Sequence, residues 1–132
     1  MQIDIPINFR EGKPSDSAFI FSSWLASYRN AMRAMPRSYY YAGQHSRIES
    51  LLARSRCVVA VPTDDPDLIA AYLVFNHLAV HWIYTRQSMR KMGIGSAMLN
   101  FLVLEPFFYT HRTTSWLDHR RGTYNPYLLD IK

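Results

Sequence analysis

The stretch LAVHWIYT (residues 78–85), RQSMRKMGIG (86–95), SAMLNFLVLE (96–105) contains the change of period on which the fold turns. Its first part is a short run rich in β-branched and aromatic residues, the composition of a strand. Its last part sets Ala97, Met98, Phe101, Leu102 and Leu104 at helical spacing, and Pro106 predicts where that helix ends. Between them, Arg90, Lys91, Met92, Gly93, Ile94 and Gly95 make a turn with two cations and two glycines. The start of a helix exposes N–H groups that have no intrahelical acceptor, and its dipole favours negative charge, so the predicted ligand is a diphosphate. Gly93 and Gly95 allow the main chain to approach phosphate oxygens and can supply the positive φ that a concave nest of amides requires. Arg90, Lys91 and Arg86 would add charge-assisted bonds, and the Ser96 hydroxyl one more.

Two other phosphate-binding readings fail on the residues. A dinucleotide fingerprint needs a third glycine where Met98 stands and opens an all-parallel unit, whereas this turn follows what reads as an antiparallel meander. A P-loop needs Gly-Lys followed by Ser or Thr, which is absent.

Upstream of the turn, CVVAVP and LIAAYLVF are short β-rich runs separated by the turn formers TDDPD, and Asn76 and His77 connect the second to LAVHWIYT. At the N-terminus Ile3, Ile5, Ile7 and Phe9 alternate with polar residues and Pro6, which predicts an edge strand. Phe21, Trp24, Leu25 and Tyr28 predict a helix from about Ser17 to Met32, stopped by Pro36. Ser46 and Glu49 have capping-box spacing for a second helix ending near Arg54, with Gly43 before it or in its first turn. A further strand is expected around Phe107–His111. The expected order is β-α-α-β-β-β-α-β plus a short tail: an α+β domain spanning residues 1–132, with a mixed, mostly antiparallel sheet flanked by helices.

At 132 residues and 48% hydrophobic content the chain can bury a core within one domain. The single cysteine, Cys57, excludes an intrachain disulfide and a cysteine-built metal site, and its apolar neighbours predict a buried strand position. His45, His77, His111 and His119 lack metal-ligand spacing, so no metal is expected. No run reaches the length of a membrane span and the N-terminus lacks a signal core, so a cytoplasmic location is expected. The formal charge of +5 favours anionic partners, either a phosphorylated cosubstrate or nucleic acid, and the basic residues are scattered rather than gathered in one tract.

The RxxGxG pattern of Arg90, Gly93 and Gly95, following a strand that ends Ile83, Tyr84, Thr85, resembles motif A of the GNAT acetyltransferase superfamily, and the element order is similar to it as well. The chain as a whole also resembles small GNAT-like proteins of tailed bacteriophages, for which the location would be the host cytoplasm. The resemblance implies an acetyl-CoA-dependent N-acetyltransferase acting on an amine acceptor: a small amine, a protein or an aminoacyl group. It implies that Ile83, Tyr84 and Thr85 lie along the pantetheine arm, and that Arg90, Lys91, Met92, Gly93, Ile94, Gly95 and Ser96 hold the pyrophosphate. Between the fourth and fifth strands it implies a splayed gap. The chain departs from the pattern after the fifth strand, where only about 20 residues follow Thr113, so the acceptor side is expected to be shortened or rearranged. That departure leaves open a non-catalytic module that binds nucleic acid or a protein partner through its basic surface.

Amine acetylation needs a neutral nucleophile, a polarised thioester carbonyl and a proton for the leaving thiolate. The strand before the turn carries no acid, and His81, expected to share a face with Ala79 and Ile83, is its candidate base or a packed structural histidine. The family precedent of a tyrosine acid beyond the fifth strand points to Tyr124, with Tyr127 and Tyr109 as alternatives and aromatic packing as the competing role. Tyr39, Tyr40 and Tyr41, read as lying between the first two helices, fall where the family builds acceptor pockets.

Overall fold

In the computed structural model the chain is described over residues 6–77, 79–102, 107–112, 117 and 122–130. The elements are β1 (Ile7–Glu11), α1 (Ser17–Tyr28), α2 (Arg37–Arg54), β2 (Arg56–Pro62), β3 (Ala71–Phe75), β4 (Ala79–Thr85), α3 (Ile94–Leu102), β5 (Phe107–Tyr109) and β6 (Gly122–Tyr124). They form one six-stranded sheet in the order β1-β2-β3-β4-β5-β6. The first three pairings are antiparallel; short loops join β2 to β3 and β3 to β4, whereas β1 reaches β2 through α1 and α2. β4 to β5 is parallel, joined through α3, and β6, which the sequence did not announce, pairs parallel with β5. β1 is the edge strand that Pro6 demands; Ile3, Ile5, Leu104 and Pro106 lie outside the described residues.

Alternation along the strands sorts the core into two layers. Val59, Val61, Tyr72, Val74 and Trp82 face α1 and α2, packing on Trp24, Tyr40, Ile48 and Leu51. On the other side of the sheet, Val58, Ala60, Leu73, Phe75 and Val80 pack on Ile94, Met98 and Leu99 of α3. The alternation slips once. Val74 is opposite Trp82 but Phe75 is opposite Val80, so His81 is an extra residue in β4. This β-bulge puts Val80 and Ile83, three residues apart, against the α3 layer, whereas Ala79, His81 and Ile83 had been expected to share one face.

α2 is longer than its capping signal suggested. Pro36 is extended (φ −55°, ψ 139°) and stands immediately before the first helical residue, so Tyr39, Tyr40 and Tyr41 lie within the helix and not between helices. Gly43 falls in its second turn, and Ser46 is an interior residue whose hydroxyl bonds back to Gly43 O at 3.4 Å. Burial of Tyr40, whose hydroxyl donates to Leu25 O, sets the true start. Cys57 is half-buried in β2, and burial pushes its thiol up to about 12, too high for a nucleophilic thiolate at neutral pH.

Candidate functional site: a fork in the sheet beside a glycine turn

Among the described residues β4 and β5 pair only at Ala79–Phe108 and Val80–Tyr109, with Thr110 N–H donating to Val80 O at 3.1 Å. Beyond Val80 the strands part, and the bulge at His81 supplies the bend. On its other edge β4 is laddered to β3. Arg86 N–H donates to Ala70 O at 2.7 Å, so by the alternation of an antiparallel pair the main-chain groups of Ile83 and Thr85 point away from β3, into the fork.

After β4 comes one 3-10 turn (Gln87–Met89), then an extended Arg90 (φ −69°, ψ 155°). Lys91 (φ 70°) and Gly93 (φ 82°) are both left-handed. Lys91 is the only non-glycine residue with positive φ among the described residues, a strain of about 1–2 kcal/mol. Gly95 had been expected to share this freedom with Gly93, but it is the second residue of α3 and helical. Ala97 N–H closes the first helical turn on Gly93 O at 3.0 Å, leaving the amides of Ile94, Gly95 and Ser96 ahead of any intrahelical acceptor. The turn is held from beneath by the fully buried Ile94 and Met98.

Fork and turn enclose a groove of about 630 Å³. Ile83, Tyr84, Thr85, Arg90, Lys91, Gly93, Ile94, Gly95 and Ser96 all line it. Met92 differs: its side chain packs against the α3 layer. Arg90 folds back, its Nε donating to Thr85 O at 2.9 Å and its guanidinium lying 6.0 Å from the Tyr84 ring centre. Arg86 turns away from the groove, bonding Ile69 O and stacking over Phe19. Ser27 and Asn30, at the end of α1 and just after it, contribute the facing wall together with Leu117. Nothing in the sequence marked these positions, because they reach the groove only through the packing of α1 on the sheet.

His81 is 2% exposed, with Nδ1 2.9 Å from Thr110 Oγ1 and Nε2 3.2 Å from Asn76 Nδ2. Burial, helped by the charge of Arg54, pushes its pKa down to about 4. Tyr124 lies on β6, two strands from β4, with its ring against Tyr109 and beneath Arg112. Tyr109 is buried in the α3 layer and Tyr127 is exposed. Among the described residues there is no cluster of ligands for a metal ion, and no helix is long and apolar enough to cross a membrane.

A mostly antiparallel sheet that forks after its fourth strand, with a helix starting at the mouth of the fork, is the architecture of the GNAT acyltransferase fold. No family model and no curated protein matches the sequence. Among solved structures, the chain is similar to a GCN5-related N-acetyltransferase from Rhodopseudomonas palustris at 13% identity and TM-score 0.55, over 77% of this chain and 66% of that one. It is similar to apo YjaB from Escherichia coli at 14% identity and TM-score 0.57, over 74% and 64%. A "possible acetyltransferase" from Clostridium difficile 630 matches at 14% and TM-score 0.51, over 73% and 68%. The chain therefore has the GNAT fold, and it spans about two thirds of the length of these structures.

Proposed function

We propose that this chain is an acetyl-CoA-dependent N-acetyltransferase that binds the pyrophosphate at the amides of residues 91–96 and the pantetheine arm along Ile83–Thr85. The observation that carries this reading is the fork: β4 presents the main chain of Ile83 and Thr85 to a groove that ends at left-handed Lys91 and Gly93 and at the start of α3. An elongated ligand with a diphosphate at one end and amides along its length matches that sequence of groups. Acetyl-CoA would supply the acyl thioester; the chain's residues bind it, align it and keep water from it. Arg90 and Lys91 give the groove mouth a positive charge suited to phosphate.

Proton movement is assigned differently from the cofactor contacts. The lone pair that a base would use on His81 faces Asn76, and its imidazole is neutral throughout the physiological range, so we assign His81 a positioning role. With Tyr124 set two strands away, alignment and main-chain polarisation of the carbonyl are left as the main sources of rate. Calorimetry with acetyl-CoA, followed by thiol-release assays over primary amines, small peptides and aminoacyl compounds, tests the proposal. Absence of acetyl-CoA binding would overturn it. Binding without release across the panel would favour the non-catalytic module that presents its basic surface to nucleic acid or a protein.

A further inference from the structure

The apex of the fork is closed by side chains, and the direction of every hydrogen bond there can be worked out. Ala79 N–H donates to Asn76 Oδ1 at 2.9 Å, which fixes the amide so that Asn76 Nδ2 donates to His81 Nε2. His81 Nε2 is then the acceptor nitrogen and Nδ1 carries the proton, which it donates to Thr110 Oγ1 at 2.9 Å. The Thr110 hydroxyl has one proton left, and His111 Nδ1 stands 3.0 Å away to accept it. His111 is thereby protonated on Nε2, a buried atom without a hydrogen-bond partner. The ring centres of Tyr28, Trp24 and Trp82 surround His111 at 4.8, 5.3 and 6.1 Å, so this N–H ends the chain among aromatic rings.

We propose that the directed chain Asn76–His81–Thr110–His111 is the pin that sets where and how far β4 and β5 separate, making His81 and Thr110 positioning residues for the groove. The location supports this. Among the described residues the last main-chain bond between the strands is Thr110 N–H to Val80 O, and the next residue of β4, the bulged His81, continues the connection through its side chain to the Thr110 hydroxyl. His81, Thr110 and His111 are each 3% exposed or less, so water does not compete for these bonds. Trp82, which follows His81, stacks on Trp24 and lines the groove, so a shift at the pin moves a groove wall. This inference rests on reading the groove as the acetyl-CoA site, and its test has a readout that does not need the ligand.

The experiment compares Thr110→Val, which keeps the shape and removes the hydroxyl, with Thr110→Ser, which keeps the hydroxyl. Nitrogen-15 NMR of the wild-type protein should show His81 protonated on Nδ1 and His111 on Nε2; the opposite tautomer at His81 would overturn the chain. Hydrogen exchange should accelerate at the amide of residue 110 in Thr110→Val by about tenfold more than at β2 and β3 amides, and return in Thr110→Ser. Equal acceleration everywhere would mean a merely stabilising contact and would overturn the pin. Acetyl-CoA affinity should fall about five- to tenfold in Thr110→Val and recover in Thr110→Ser, the size of one neutral hydrogen bond. Unchanged affinity in folded Thr110→Val would refute the link to the groove. If the wild type binds no acetyl-CoA, the ligand assignment fails, while tautomers and exchange still decide the pin.

Discussion

Gly95→Asp separates folding from ligand binding at the turn. Gly95 is the second residue of α3 in ordinary helical backbone, so a side chain there meets no left-handed strain. A carboxylate in the first turn of a helix favours the dipole by about 0.3–1 kcal/mol, and the variant should melt at or slightly above the wild-type temperature. For a bound pyrophosphate the sign reverses. At a separation of about 5 Å and an effective dielectric constant between about 20 and 80, each phosphate charge is opposed by about 1–3 kcal/mol. Even one such charge lowers affinity by about 5- to 150-fold, the second phosphate deepens the loss, and the loss should shrink at high salt as the charges are screened. The assay is calorimetry with acetyl-CoA at two salt concentrations, with Gly95→Asn as the neutral variant of similar bulk. Unchanged affinity in folded Gly95→Asp would refute the placement of the pyrophosphate; equal losses in Asn and Asp would show that bulk, and not charge, is responsible.

Lys91→Gly relieves a left-handed residue, so it should hold or raise the melting temperature while weakening acetyl-CoA several-fold through the lost cation; a fall in stability would show that Lys91 is not strained. His81 and His111 have pKa values pushed down to about 4 and about 3, below an unfolded value near 6.5, so the unfolded chain takes up protons first as the pH falls. Stability should be full above about pH 6.5 and decline toward pH 4, by about 3 kcal/mol for His81 alone; denaturant unfolding that is flat over this range would refute the buried neutral imidazoles. Since His81 is already neutral above pH 5, the rate of acetyl transfer should carry no histidine ionisation near 6.5 that His81→Gln removes; finding one would restore His81 as the base. Tyr124→Phe should change thiol release less than about threefold, because Tyr124 lies two strands from β4, whereas a loss of about 100-fold at unchanged acetyl-CoA affinity would assign it the proton of the thiolate.

What the sequence determined by itself was local and periodic. The β-rich runs CVVAVP and LIAAYLVF, the helical spacing of Met98 and Leu102, and the glycines between Thr85 and Ser96 gave the meander, α3 and the turn, because each signal lies within one element, although Phe101, at the same spacing, is exposed. Of the ten positions named from the sequence at the turn and the end of β4, nine line the groove, and Met92 sends its side chain to the core. Tertiary structure decided the rest. The start of α2 moved to Arg37 because burying Tyr40 outweighed the Ser46 capping signal. The bulge at His81 is set by how β3 and β4 fit, which no alternation within β4 reveals. Ser27 and Asn30 reach the groove across more than 50 residues of chain, and Thr110 and His111 meet His81 only when β5 docks beside β4. A buried histidine and a catalytic one have the same letter; the partners on its two nitrogens distinguish them, and those partners come from other strands and turns.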